Sequence, residues 1–147
     1  MNEKMTESVS ATYKLEEGTE LQLDFNKLSK VTARCPNIVP VAIQNVDTKE
    51  VILVAYTNQK AFQESIHTRI ATFWSTSRNE FWIKGKGSGN TFELLEIRVN
   101  CEQNSLVYIV RPNREGICHT SNTKGKARDC YYRKFNMESG ILENIDP

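Results

Sequence analysis

The sequence predicts an α+β fold built mainly from short antiparallel strands, forming a sandwich or barrel-like core with one or two helices. Short runs rich in β-branched and aromatic residues begin near Ile38 and recur along the chain. Polar residues suited to turns separate these runs. From Asn58 to about Thr68 the apolar residues instead follow helical spacing.

A hairpin and a helix are the first elements predicted. Strands are expected at Val39–Gln44 and Glu50–Tyr56, with the polar stretch 45–49 as the turn between them. Asn58 is a suitable N-cap for the helix that follows. The residues at helical spacing are Ala61, Phe62, Ser65 and Ile66.

Four further strands are predicted at Ile70–Trp74, Glu80–Lys84, Phe92–Val99 and Leu106–Val110. The alternation of apolar and polar residues is regular in Leu95–Val99, so Cys101 follows the end of a half-buried strand. Glycines occupy alternate positions of the stretch 85–89, where the backbone can approach a ligand closely.

The chain is expected to form one domain, because its 147 residues contain neither an internal repeat nor a low-complexity linker. Residues 1–28 are predicted to be a polar, partly ordered N-terminal extension, in which Leu21–Phe25 could add an edge strand. The domain itself is assigned to residues 29–147.

Charge and composition exclude several functional classes. Lys and Arg number 19 and Asp and Glu number 18, which gives no global reason to expect nucleic acid or a membrane surface as a partner. No apolar run is long enough to span a bilayer, and the N-terminus lacks the apolar core of a secretory signal. A cytoplasmic protein is therefore predicted, in which cysteines are thiols or metal ligands.

Three of the four cysteines fall in the C-terminal third, at Cys101, Cys118 and Cys130, and His119 follows the second. Three thiolates and an adjacent histidine suggest a zinc site with an open position for water, and hence hydrolysis. The spacing is not that of a zinc finger, since no C-x-x-C pair occurs. Cys35 is predicted to be a small buried hydrophobe, and His67 a surface or packing residue.

Several short sequence motifs around these cysteines together resemble a known protein family. WSTSR occupies residues 74–78, FWIKGKGSG residues 81–89, CHT residues 118–120 and CYYR residues 130–133. In this order, and within residues 37–133, these motifs resemble the phosphoribosyl-AMP cyclohydrolase family of histidine biosynthesis. The resemblance implies a zinc-dependent hydrolase in which hydroxide generated at zinc attacks C6 of the purine ring and the C6–N1 bond breaks.

The resemblance also implies roles for individual residues. Cys101, Cys118 and Cys130 match the zinc ligands of the family, and His119 matches a histidine proposed to act as general base or acid. In the family the ligands converge across a homodimer interface, so a homodimer is expected with its metal sites at that interface.

A phosphoribosyl nucleotide, the small-molecule substrate implied, needs hydrogen-bond donors for its phosphate oxygens, and hydroxyls, loop amides and basic side chains supply them. The tryptophans of the same segments could stack on a purine or belong to the core. The predicted substrate-binding residues are Trp74, Ser75, Ser77, Arg78, Trp82, Lys84, Gly85 and Ser88.

The chain departs from the family pattern at three places. Where the family has aspartates in D-C-D-x-D, associated with magnesium, this chain has Asn100, Glu102 and Asn104 around Cys101, and the lost charges argue against Mg²⁺ as a second metal. The loop motif SGH is replaced by SGN at residues 88–90. Eleven residues separate Cys118 from Cys130, more than in the family, and could form a substrate lid or a disordered surface loop.

Three hypotheses follow from these matches and departures. The chain could open the ring of phosphoribosyl-AMP as the family does. A divergent paralogue could instead be a zinc hydrolase or deaminase acting on another purine-like or cyclic amidine substrate. Finally, the thiolates could serve a noncatalytic zinc-binding protein. Retention of His119 and of the WSTSR and GKGSG segments favours catalysis.

Overall fold

A computed structural model describes residues 14–83, 89–114 and 120–147. Five of the predicted site residues lie outside the described residues: Lys84, Gly85, Ser88, Cys118 and His119. The helices are α1 (Lys27–Arg34) and α2 (Gln59–Thr68). The strands are β1 (Val39–Asn45), β2 (Val51–Thr57), β3 (Thr72–Ser75), β4 (Glu80–Ile83), β5 (Phe92–Val99), β6 (Leu106–Pro112), β7 (Arg133–Phe135) and β8 (Leu142–Asn144). The mainly β character predicted for an α+β fold is confirmed.

The central sheet has four strands in the order β2-β1-β6-β5. The predicted hairpin of β1 and β2 is confirmed as an antiparallel pair. Its turn is stabilised by Asn45, whose side-chain oxygen accepts hydrogen bonds from the amides of Asp47 at 2.8 Å and Thr48 at 3.2 Å. At the opposite edge, β5 and β6 also pair antiparallel.

The expectation of antiparallel strands is wrong at the centre of the sheet, where β1 and β6 pair in parallel. A parallel pair requires a long connection, and α2 and strands β2 to β5 lie between β1 and β6 in the sequence. In place of the expected sandwich or barrel, the described residues form this one sheet and two separate hairpins, β3–β4 and β7–β8. Apolar alternation along single strands carries no information about how distant strands pair.

The hydrophobic core combines residues of the sheet with Phe73 of β3. Phe73 is completely buried, and its ring centroid lies 6.1 Å from that of Tyr108 and 5.7 Å from that of Trp82. The buried core residues are Val41, Ile43, Ile52, Leu53, Ala55, Ala71, Phe73, Phe92, Leu94, Tyr108 and Val110. The β3–β4 hairpin therefore packs on the sheet through aromatic side chains, and the residues before β3 bind β5 through main-chain hydrogen bonds.

Helix α2 begins as predicted, with the Asn58 side chain accepting a hydrogen bond from the Ala61 amide at 2.9 Å. Ser65 is fully buried, and its hydroxyl donates to carbonyl oxygens of the helix and of Thr72 and accepts from the Thr72 amide at 2.8 Å. A polar residue on the inner face thus ties α2 to the start of β3.

Three terminal features differ from the sequence predictions. Residues 21–25 contain no strand, so the expected edge strand at Leu21–Phe25 is wrong. Helix α1 and the β7–β8 hairpin were not predicted, because each of their segments has eight residues or fewer, too short a window for apolar spacing to identify the element. In the described part of the chain, no helix combines the length and apolarity needed to cross a bilayer. The cytoplasmic location stays a prediction.

Candidate active site

A cavity of about 370 Å³ lies between β2 and the β3–β4 hairpin. Its lining residues are Val54, Ala55, Tyr56, Trp74, Ser75, Thr76, Ser77, Arg78 and Trp82. Five of the eight residues predicted to bind substrate are among them, and the other three lie outside the described residues. The structure therefore brings together the part of the predicted substrate site that it describes.

The polar end of this cavity is a tight turn from Ser75 to Asn79. The Asn79 amide donates to the Ser75 carbonyl at 2.7 Å, and Asn79 adopts a φ of 54°. The Ser75 hydroxyl accepts from the Arg78 amide at 3.3 Å and lies 3.4 Å from the Ser77 hydroxyl. This turn places two hydroxyls and one guanidinium at the cavity, the donor set that a phosphate group requires.

Arg78 is oriented by Glu80, whose carboxylate lies 3.4 Å from the guanidinium. Both side chains are more than half exposed, so the ion pair is well screened by water. An incoming anion could therefore bind Arg78 without displacing a buried partner.

Helix α1 braces the same turn, a feature that sequence reasoning missed. Arg34 donates to the Ser77 carbonyl at 3.1 Å. The Cys35 thiol lies 3.5 Å from both the Thr76 carbonyl and the Asn79 side-chain oxygen. Cys35 is 2% exposed, which confirms its prediction as a buried residue. Neither contact was recognisable from the sequence, since about forty residues separate the partners.

Trp74 and Trp82 are both half-buried and both line the cavity, so each is placed where a purine could reach it. Trp82 also packs against the core. The Trp74 ring meets Phe81 edge to face at 5.5 Å, and its indole N–H donates to Asn79 at 3.0 Å. These contacts fix the orientation of Trp74 beside the turn.

Cys130 lies next to β2, the strand that also forms one wall of the cavity. The Cys130 amide donates to the Ile52 carbonyl at 3.1 Å, and the Cys130 side chain is exposed. Ile52 precedes the first cavity residue of this strand, Val54, by two positions, about 7 Å along a strand. β2 therefore connects a predicted zinc ligand to the predicted substrate cavity.

Cys101 lies on the other side of the sheet, in the turn between β5 and β6, and is also exposed. This turn is at least two strand spacings from β2, roughly 10 Å or more. Two sulfur ligands of one zinc ion must lie within about 4.6 Å of each other, given Zn–S bonds of about 2.3 Å. Cys101 and Cys130 of one subunit therefore cannot bind the same ion in this conformation.

The other potential metal ligands of the described residues are not clustered either. Among residues 14–83, 89–114 and 120–147, no three His, Cys, Asp or Glu side chains are grouped closely enough to hold a metal ion. The donors themselves suit zinc, because exposed thiols ionise readily next to a metal and soft thiolates select it. A complete site requires groups from beyond the described part of one chain.

The three residues considered for a second metal bind one another. The Asn100 amide group donates to the Asn104 side-chain oxygen at 2.6 Å, and Asn104 donates to Glu102 at 3.2 Å. The Asn100 side-chain oxygen accepts from the amides of Asn104 at 2.9 Å and Ser105 at 3.0 Å. Their oxygens thus stabilise the β5–β6 turn, and no carboxylate pair is present there to attract magnesium.

Two ionisable neighbours of Cys130 have raised pKa values, mainly because they are partly buried. Burial raises the pKa of Asp129, and the charges of Glu50 and Asp146 raise it further. The pKa of Tyr131 is also raised, first by burial and then by the Cys130 charge. Each shift reports chiefly the cost of placing a negative charge in a partly buried position.

Ten of the eleven residues between Cys118 and Cys130, residues 120–129, are described, and they are anchored to the C-terminus. The Asn122 side chain donates to Asp146 at 3.0 Å and accepts from the amides of Lys124 and Lys126. Arg128 donates to the Asp146 carbonyl at 2.8 Å. In residues 120–129 the insertion is an ordered loop, so the alternative of a disordered loop is wrong there.

Comparisons with known proteins identify the family of this chain. The sequence model described as "Phosphoribosyl-AMP cyclohydrolase" matches residues 53–132. A phosphoribosyl-AMP cyclohydrolase of Pelobacter propionicus is 35% identical over 78% of this chain and 82% of its own length. One from Syntrophotalea carbinolica is 34% identical over 86% of this chain and 91% of its own. A histidine biosynthesis bifunctional protein HisIE of Aquifex aeolicus is 32% identical over 86% of this chain and 55% of its own length. The matched residues contain the cavity, Cys101 and Cys130, and the chain belongs to the phosphoribosyl-AMP cyclohydrolase family.

Proposed function

We propose that this protein is a zinc-dependent homodimeric hydrolase that opens the purine ring of phosphoribosyl-AMP at the C6–N1 bond, in histidine biosynthesis. The observation that carries the proposal is the cavity in which Trp74, Ser75, Ser77, Arg78 and Trp82 meet. β2 forms one wall of it, and Ile52 of the same strand accepts a hydrogen bond from the Cys130 amide.

Cys101, Cys118 and Cys130 would hold the zinc ion. A bound zinc ion with an open position lowers the pKa of water to about 7 and so supplies a nucleophile at neutral pH. His119 moves protons between this water and the ring nitrogen as N1 leaves C6. Its place beside Cys118 in the sequence supports this role.

The separation of Cys101 from Cys130 supports the homodimer. If one subunit contributes Cys101 and its partner contributes Cys130, two equivalent zinc sites form across a two-fold interface. The exposure of both thiols is compatible with this pairing. A single subunit would hold an incomplete set of ligands.

The cavity supplies contacts for both ends of the nucleotide. Arg78 and the hydroxyls of Ser75 and Ser77 are donors for the phosphate oxygens. The faces of Trp74 and Trp82 offer apolar surface for the purine. Both groups of contacts lie within reach of one small molecule.

Direct assay with phosphoribosyl-AMP tests the proposal. Zinc-loaded protein should convert the substrate to the ring-opened product, followed by absorbance, and should restore growth of a histidine auxotroph that lacks the enzyme. Turnover only of another cyclic amidine would identify a divergent hydrolase, for which the replacement of two carboxylates by Asn100 and Asn104 is the supporting observation. Zinc binding without turnover of phosphoribosyl-AMP or of another cyclic amidine would identify a noncatalytic zinc-binding protein.

Arg78→Ala should raise KM for phosphoribosyl-AMP by about 10-fold with a smaller effect on kcat, because it removes one charge-assisted hydrogen bond worth about 1.5 kcal/mol. The matched control is Arg111→Ala. Arg111 is also half-exposed and paired with carboxylates, of Asp47 and Glu93, but it lies at the far end of the β5–β6 pair from Cys101. Equal KM values for the two variants would remove Arg78 from the substrate site.

Turnover should not require added Mg²⁺, since amides provide no charge to offset the dehydration of this ion. Asn100→Asp combined with Asn104→Asp should create Mg²⁺ binding, because two carboxylates at the present 2.6 Å contact would repel unless a cation lay between them. The melting temperature of the double variant should rise with Mg²⁺. Asn136→Asp, in another turn stabilised by an Asn side chain, is the control. Loss of activity of the unmodified protein on removal of Mg²⁺ would contradict this prediction.

A further inference from the structure

The N-terminal segment is bound to the C-terminal part of the chain by four consecutive residues, 16–19, which we name the strap. The carbonyl of Glu16 accepts from the Tyr132 hydroxyl at 2.6 Å, and the carboxylate of Glu17 accepts from Arg128 at 2.6 Å. The carbonyls of Gly18 and Thr19 accept from Arg133 at 3.0 Å and from the Leu142 amide at 2.7 Å. Three residues of the strap therefore contact residues close to Cys130 in the sequence, and the fourth, Thr19, contacts β8.

Arg128 is the centre of this contact. It is 3% exposed, donates to Glu17 and to the Asp146 carbonyl, and lies over the Tyr132 ring at 4.6 Å. Its amide donates to the Thr120 carbonyl at 3.2 Å. Arg128 thus joins the strap to both ends of the loop 120–129. Thr120, at one end, follows Cys118 and His119 in the sequence, and the other end precedes Cys130.

The strap also continues into a wall beside Cys130. A cavity of about 290 Å³ is lined by Leu15, Glu20, Leu21, Gln22, Leu23, Cys130, Tyr131, Arg133 and Leu142. One side of this cavity comes from the N-terminal segment and the other from the residues around the thiol. On its other side, the Cys130 amide donates to the Ile52 carbonyl of β2.

We propose that the strap is a positioning element of the zinc site, in which the Glu17–Arg128 ion pair holds the segment 128–133 so that Cys130 keeps the orientation required for metal binding. The inference rests on the proposed function, because it concerns the same zinc ligand. Glu17 and Arg128 are positioning residues that touch neither metal nor substrate. Outer residues that orient metal ligands typically change metal affinity or activity by 10- to 100-fold when they are replaced.

The test measures zinc release from zinc-loaded protein into a colorimetric chelator. Glu17→Ala should release zinc about 10-fold faster than the unmodified protein, whereas Glu17→Gln, which keeps an acceptor for Arg128, should have a smaller effect. Gly18→Ala is a second route to the same result, because its Cβ would collide with the Lys14 carbonyl oxygen and displace the strap without changing charge. Glu138→Ala, which removes an exposed carboxylate from the β7–β8 turn, should leave zinc release unchanged.

Measurement of turnover distinguishes a positioning role of Glu17 from a catalytic one. Excess zinc should restore the turnover of Glu17→Ala towards that of the unmodified protein. If Glu17→Ala and Gly18→Ala lower the melting temperature but release zinc at the unmodified rate, the strap is only a stabilising contact and the inference is overturned. An unmodified protein that binds no zinc would instead refute the proposed function, and this inference with it.

Discussion

Cys130→Ser is expected to release most of the bound zinc and to abolish turnover, because a serine hydroxyl does not ionise to a soft ligand at neutral pH. The same result is expected for Cys101→Ser and Cys118→Ser. Metal analysis of the purified variants and assay with phosphoribosyl-AMP provide the measurement. Cys35→Ser is the control, since this buried thiol contacts the Ser75–Asn79 turn. The Cys35→Ser variant should keep its zinc.

Mixing variants tests whether each zinc site is shared between subunits. Cys101→Ser and Cys130→Ser subunits are each inactive alone, but a mixed dimer contains one site with both cysteines intact. Random mixing should therefore recover about a quarter of the unmodified activity. Zinc retained by all three single variants would remove the basis of the metal site. Zinc lost from each but no recovery on mixing would place all ligands within one subunit.

His119→Ala is expected to lower kcat by about 100-fold or more, as for the loss of a positioned general acid or base. Zinc content and melting temperature should change little, because His119 is not among the proposed ligands. The other histidine of the chain, the exposed His67 in α2, provides a matched control. His67→Ala should keep full activity.

A change in the pH dependence of kcat would strengthen this assignment. The limb that reports the acid or base should disappear in His119→Ala and remain in His67→Ala. Equal turnover of His119→Ala and the unmodified protein would assign proton transfer to another group.

Local features were predictable because neighbouring residues determine them. The hairpin turn at Asn45 and the N-cap at Asn58 each depend on hydrogen bonds that span no more than three residues. Cys35 was also recognisable as a buried residue from its type alone. The turn and the cap are determined by short segments, whereas the contacts that bury Cys35 come from the tertiary structure.

The composition of the substrate cavity could be anticipated in part. Trp74, Ser75, Ser77, Arg78 and Trp82 were selected from two neighbouring motifs, and the β3–β4 pairing places them together. Val54 to Tyr56 were missed, because nothing in their apolar alternation distinguishes a cavity wall from a core strand. α1 was missed for a related reason, since its role depends on contacts with a turn about forty residues away.

The sequence by itself determined the mainly β character, the local turns and caps, and the set of thiols and hydroxyls from which a site can be built. Only the tertiary structure decided that β1 and β6 pair in parallel, that β2 joins Cys130 to the cavity, and that Cys101 lies too far from Cys130 to share a metal ion within one subunit. It also decided that the strap binds Arg128. These features depend on the packing of segments distant in the chain, and the free energy of that packing comes from surfaces that no single segment contains.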